Sequence, residues 1–307
     1  VDSNWSKTFT SIENAKNTTL SKLGNNGDLY RKKHYTWEKV IKKYESVFFS
    51  DQKKISGANK LSKVIYQVLP DLAYGDAVSN EAIYLHRLFQ LTGFTSTILV
   101  RKNHIDKRVK CFCVPIENYE IKDTSILIYH YSIGSSLDEI VLQHKGVKVF
   151  RFHSITPPEY FQNSRPEFTP LLRDGLEKLW DLSLHFDYSV CTSKFTSSQL
   201  AVYGFKNISI ISLNVEPQNW SSNNNQIYNE LNHSFNLLFV GRFAPNKGQK
   251  ELVKIFSSFN LTNPNSKLIM VGSYDVNDYY YKEVVNLVHS SNLKDLILIP
   301  NHVDDVD

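Results

Sequence analysis

Hydrophobic and polar positions settle into a regular rhythm from Lys63 onward. Lys63-Val64-Ile65-Tyr66-Gln67-Val68-Leu69 predicts a strand, and Val78, Ala82, Leu85 and Phe89 predict the buried stripe of a helix over Ala77–Leu91 that Gly93 ends. Further strands are predicted over Ser96–Val100, Ser125–His130, Val147–His153, Tyr188–Thr192 and Ile208–Leu213. Helices fit between them over Ser136–Gln143, Glu167–Leu184 and Lys194–Tyr203. Short apolar strands interleaved with helices imply a parallel sheet covered on both faces. Asn214–His233, rich in Asn, Ser and Gln, reads as an interdomain connection. A second βα series follows: strand Leu237–Gly241, helix Gln249–Phe259, strand Leu268–Gly272, helix Asp278–His289 and strand Leu296–Ile299.

The opening residues follow a different pattern. Ser11–Leu23 is polar and weakly helical, and Gly24-Asn25-Asn26-Gly27-Asp28 is a turn cluster. Trp37, Val40, Ile41, Tyr44 and Phe48 form one helical stripe behind Thr36, an N-cap residue with Glu38 in the first turn. Such a stripe needs a partner surface. Ser50–Ser62 reads as a linker, so the expected division is 1–57, 58–215 and 216–307.

Composition narrows the class. A chain of 307 residues, 41% hydrophobic and 21% charged, is an ordinary soluble globular protein long enough for two compact units. Lys+Arg 35 against Asp+Glu 31 gives +4 without a long basic run, so dedicated nucleic-acid binding is not expected and anionic small molecules are. No apolar run approaches the ~18 residues of a membrane helix. Val1-Asp2-Ser3-Asn4-Trp5 does not read as a signal peptide, and a cytoplasmic location is expected. Cys111, Cys113 and Cys191 cannot build a disulfide framework; the first two are placed on one face of a strand, and all three are expected as buried, reduced thiols rather than metal ligands.

The chemistry concentrates in Phe239-Val240-Gly241-Arg242-Phe243-Ala244-Pro245-Asn246-Lys247-Gly248-Gln249. A strand ends in Gly-Arg, a short loop follows, and Lys-Gly opens a helix. In an open α/β sheet ligands sit at the carboxyl ends of strands. Two cations there, beside a helix N-terminus, suit a diphosphate: Arg offers a planar fork and Lys a point charge. Surface charge without a ligand is the alternative.

This segment resembles the Gly-Arg-x4-Lys-Gly signature of the family-4 (group 1) retaining glycosyltransferases, whose GT-B fold pairs two Rossmann-like domains. Ile128-Tyr129-His130-Tyr131-Ser132-Ile133-Gly134-Ser135 and Phe150-Arg151-Phe152-His153-Ser154-Ile155-Thr156-Pro157-Pro158 resemble the middle of that family's N-terminal domain. Asp187-Tyr188-Ser189-Val190-Cys191-Thr192-Ser193-Lys194 resembles its last part. The expected fold is therefore α/β of GT-B type, with an N-terminal helical segment and a second domain present only in its first half.

The resemblance implies transfer of a sugar from a nucleotide-sugar donor to a glycan or lipid-linked acceptor, with retention, in polysaccharide biosynthesis. It implies that Arg242 and Lys247 bind the donor diphosphate and that His153 faces the reacting sugar, a hydrogen-bonded structural histidine being the alternative. Gly75, Asp76, Gly241 and Gly272 are expected near donor or acceptor, although Asp76 reads better as a plain helix cap. No cofactor and no metal are expected, because protein cations would stabilise the leaving group. Peripheral association with the inner face of a membrane, through the acceptor, is a further expectation.

Two departures qualify the resemblance. The family's Glu-x7-Glu motif, in the second half of its C-terminal domain, is absent; Glu159 and Glu167 have that spacing in the wrong domain among prolines. Gly27-Asp28-Leu29-Tyr30 and His34-Tyr35-Thr36-Trp37-Glu38-Lys39-Val40 resemble the family's closing helix. The expectation is a piece of a tandem-module enzyme, inactive by itself, with an unrelated helical extension as the alternative. A non-catalytic GT-B acceptor-binding module, or another GT-B sugar enzyme such as an epimerase or phosphorylase, are the rival readings.

Overall fold

The computed structural model describes residues 22, 25–30, 36–49, 63–213, 231 and 234–300. The expected linkers at 50–62 and 214–233 and most of the opening segment lie outside the described residues. Residues 25–30 are helical where a turn cluster was expected; Gly and Asn lower helix propensity by about 1 kcal/mol at most, which neighbouring structure can override. The chain divides into two units, Tyr30–Pro158 with Glu167–Val215 and Glu216–Asp307 with Val1–Leu29 and Glu159–Pro166.

The first unit is a seven-stranded sheet in the order β3-β2-β1-β4-β5-β6-β7, with every pairing parallel. Its strands are β1 (Val64–Leu69), β2 (Thr95–Val100), β3 (Cys113–Pro115), β4 (Ile126–Tyr131), β5 (Val147–Phe152), β6 (Tyr188–Cys191) and β7 (Ile208–Ile210). Every residue of β4 is buried, as a central parallel strand covered on both faces requires.

Helix α1 (Trp37–Phe49) packs Val40, Tyr44, Val47 and Phe48 into the same core as Ile65, Leu85, Phe89 and Ile126. The Tyr44 ring meets Phe89 edge-on at 5.5 Å. The apolar stripe thus finds its partner surface on this sheet, and the helix belongs to this unit's core, not to a separate segment ending at residue 57. Helix α2 (Ala77–Leu91) starts at Asp76, whose carboxylate accepts from the Val78 and Ser79 amides at 3.1 and 3.0 Å. It ends at Thr92 and Gly93, whose positive φ the sequence anticipates.

Helices α3 (Asp138–Gln143), α4 (Phe168–Glu177), α5 (Leu179–Leu182) and α6 (Lys194–Val202) complete the described coverage. The single helix expected over 167–184 is two, because ψ tightens to −19° at Lys178. Strand β3 is anticipated only as a strand holding both Cys111 and Cys113. Its three residues follow a 3-10 turn that holds Cys111, so Cys111 and Cys113 do not share a strand face. Cys111 is exposed and only Cys191 is buried, which corrects the expectation of three buried thiols.

The second unit carries a parallel sheet in the order β10-β9-β8: β8 (Phe235–Val240), β9 (Ser266–Val271) and β10 (Ile297–Leu298). Helices α7 (Gln249–Asn260) and α8 (Tyr279–His289) pack Val253, Phe256, Phe259, Tyr280, Val284 and Val288 against Leu268 and Met270.

Candidate functional site

At the carboxyl edge of β8 and β9 the backbone does much of the positioning. The ladder runs past the strand ends: the Gly241 amide donates to the Val271 carbonyl at 2.8 Å and the Phe243 amide to the Ser273 carbonyl at 3.0 Å. Gly272 permits this approach, since a Cβ there would overlap the Gly241 carbonyl. Arg242 follows directly and is exposed. Pro245–Lys247 forms one 3-10 turn, and Gly248, at φ 73°, joins it to the N-terminus of α7. Lys247 is also exposed, and its aliphatic stem passes beside Gly241. No side chain caps α7. The structure therefore brings Gly241, Arg242, Lys247 and Gly272 to one strand edge beside a helix N-terminus.

Sequence reasoning gave no role to Gln249, which this edge depends on. It is completely buried and donates from Nε2 to the Arg242 carbonyl at 2.9 Å, fixing the peptide that carries the cation. Its position directly after Lys-Gly was the available signal.

In the first unit, β5 ends at Phe152 and His153 follows, its amide donating to the Tyr131 carbonyl at 3.0 Å. Ser154 then takes φ 67°, a left-handed conformation that non-glycine residues adopt at a cost. This turns the chain away from the sheet immediately after the histidine. The His153 side chain is 6% exposed and sits in a network of buried polar groups. His130 Nδ1 lies 3.0 Å from His153 Nε2, and His130 Nε2 lies 3.0 Å from Gln67 Oε1. Gln67 donates from Nε2 to the Ala82 carbonyl at 3.0 Å. On the other side, His153 Nδ1 lies 3.4 Å from Glu81 Oε2.

Glu81 is held by Arg151, which is fully buried and donates from Nε to Oε2 at 3.3 Å and from Nη2 to Oε1. Burial works against the Arg151 charge, and the Glu81 carboxylate outweighs it, so the guanidinium is held above its ordinary range. The same burial, with the Arg151 charge beside it, pushes His130 down to about 3. Burial, then His130 and Arg151, push His153 well below the usual histidine value. Both imidazoles are neutral in this setting.

Glu81, His130 and His153 place ligand atoms within 4.8 Å of one another, a spacing that a metal ion could use. The donor set is already committed, however. Arg151 engages both carboxylate oxygens of Glu81, and the histidines face each other, so the cluster contains its own cation. His153 is thus brought together with Glu81, Arg151, His130 and Gln67, none of which sequence reasoning singled out.

Gly75 and Asp76 lie in the loop after β1, a different part of the same sheet edge. Gly75 has φ 73°, and both cap bonds of Asp76 run to its Oδ2, which also accepts from Ser79 Oγ at 3.1 Å. The cap accounts for Asp76.

The architecture defines the class: an α/β protein of GT-B type, with one seven-stranded and one further parallel sheet. Residues 222–307 match the family model described as glycosyl transferases group 1. Among solved structures, a glycosyltransferase from Rickettsia africae ESF-5 aligns with TM-score 0.57 at 15% identity, covering 80% of this chain and 70% of that one. MnaA of S. aureus, solved with UDP, aligns with TM-score 0.44 at 11% identity, covering 78% of this chain and 69% of that one. No curated protein matches the chain significantly. No helix among the described residues is long and apolar enough to cross a membrane.

Proposed function

We propose that this chain is a group 1 glycosyltransferase that binds a nucleotide-sugar donor through Arg242 and Lys247 and transfers the sugar, with retention, to a glycan or lipid-linked acceptor in polysaccharide biosynthesis. The observation that carries the reading is the edge of β8. Two exposed cations stand beside an uncapped helix N-terminus, on a backbone drawn tight by Gly272 and Gln249, inside the segment that matches the family model. Each cation can make charge-assisted bonds to a diphosphate, and in a transfer step both would stabilise charge developing on the leaving group. That chemistry requires neither a metal nor a cofactor.

His153 is assigned to the reacting centre by its place directly after a central strand and before the left-handed turn at Ser154. With both ring nitrogens turned to neighbours in the chain, it would act through its ring edge and peptide group. Gly75 would let backbone approach the substrate closely. The test is binding of a panel of nucleoside diphosphates and nucleotide-sugars to the purified chain, followed by calorimetry and by saturation-transfer NMR. Binding of at least one nucleotide that weakens in Arg242→Ala and Lys247→Ala supports the reading. Equal binding by both variants and the parent overturns the phosphate assignment.

A further inference from the structure

The buried polar chain around His153 has a direction. We propose that Gln67 and His130 are positioning residues for His153: anchored on the Ala82 carbonyl, they fix both imidazoles as Nε2–H tautomers and leave the His153 Nδ1 lone pair turned toward Glu81. The proposal rests on the functional reading above only in taking His153 to meet the substrate.

The argument starts at a carbonyl. Gln67 is wholly buried, and its amide nitrogen is 3.0 Å from the Ala82 oxygen, which can only accept. The Gln67 oxygen therefore faces His130, and an amide oxygen also can only accept. At 3.0 Å the His130 Nε2 must carry the hydrogen. Arg151 and burial keep His130 neutral, so its Nδ1 is bare and accepts. The atom 3.0 Å away, His153 Nε2, must then be the donor. His153 is itself neutral, which leaves its Nδ1 without a hydrogen.

The last distance agrees. His153 Nδ1 and Glu81 Oε2 stand 3.4 Å apart, longer than the three 3.0 Å steps, as expected where two acceptors face each other. Running the chain in reverse would set the Gln67 oxygen against the Ala82 oxygen at 3.0 Å, in a place sealed from water. Arg151 donates to both oxygens of the same carboxylate, so Glu81 stands there as an acceptor. The consequence is chemical. With Nδ1 bare and turned to Glu81, His153 cannot serve as a proton donor from that atom.

Long-range proton–nitrogen correlation NMR on the full chain labelled at histidine nitrogen reads this directly. The two rings are assigned from the signals lost in His130→Gln and His153→Gln. The expected wild-type pattern at pH 7 is a protonated Nε2 and a bare Nδ1 on both rings. In Gln67→Leu the anchor is gone, and His130 should spread its proton over both nitrogens. Should that variant fail to fold, Gln67→Met keeps the unbranched length without the amide. An Nδ1–H on either ring, an imidazolium at His153, or an unchanged His130 pattern in a folded Gln67 variant overturns the proposal. So does a saturable shift of both rings by stoichiometric zinc, which would make the cluster a metal centre. Nucleotide binding is measured on the same samples and should be unchanged in Gln67→Leu. Its absence from every sample, with the expected ring pattern intact, strikes the functional reading alone.

Discussion

The two candidate sites hold charge in opposite ways. In the seven-stranded unit Arg151 is wholly buried and pairs with the nearly buried Glu81 through Nε and Nη2, while its Nη1 has no hydrogen-bond partner among the described residues. At the edge of β8, Arg242 and Lys247 are exposed, and α7 begins without a side-chain cap. A buried charge must be compensated by the chain itself, so the Arg151 charge is committed to Glu81. Exposed cations are compensated by water, which a diphosphate can displace. One cluster therefore acts as scaffold and the other as binding surface, although both are built from the same kinds of side chain.

Removing one member of each cluster should break that contrast. Glu81→Ala leaves Arg151 charged and buried without its partner, and should cost about 3–5 kcal/mol of stability. Chemical denaturation monitored by circular dichroism checks it; a loss under ~1 kcal/mol would mean that water reaches Arg151. Arg242→Ala and Lys247→Ala should do the reverse. Thermal unfolding should hardly move, while nucleotide affinity falls roughly 10- to 150-fold, corresponding to about 1.5–3 kcal/mol per charge-assisted contact.

Acid sharpens the comparison further. His130 and His153 have lowered values in the folded chain, so the unfolded chain binds more protons below the ordinary histidine value of 6.5. Their neutral burial costs nothing above that pH, and stability falls as pH drops from 6.5 toward about 3 for His130, by about 1.4 kcal/mol per pH unit, with His153 acting in the same direction. Unfolding free energies at pH 7, 6 and 5 should show this slope, and His130→Gln should reduce it. The smallest effect expected is Asp76→Ala, about 1 kcal/mol for a lost N-cap, with nucleotide binding untouched. A drop in binding there would move Asp76 from cap to ligand contact.

These contrasts also explain what the sequence could reveal. Arg242 and Lys247 lie within one loop, so a short pattern carries them. The helix over Ala77–Leu91 and most strands were legible because period and capping are local. The extent of β3 was not, since its three residues become a strand by pairing Cys113 with Ile98, Val114 with Leu99 and Pro115 with Val100. The network of Gln67, Glu81, His130 and Arg151 is joined only by the sheet order β1-β4-β5 and by α2 packing on it. One clue was present. Gln67, His130 and Arg151 stand at buried positions of largely apolar strands, and a polar residue buried there must find a partner. The sequence announces that such partners exist but not which residues they are. The stripe of α1 shows the same limit: its apolar face was evident, and the core it joins was not.

The central claim is that the edge of β8 receives a nucleotide diphosphate through Arg242 and Lys247. The most direct measurement is titration of the chain with nucleoside diphosphates, beside the Arg242→Ala/Lys247→Ala double variant, at low and at moderate salt. The account predicts saturable, salt-weakened binding of at least one nucleotide by the parent, and its loss in a double variant that unfolds at the same temperature. Binding of the same strength by a folded double variant, or no binding of any nucleotide by the parent, would contradict it.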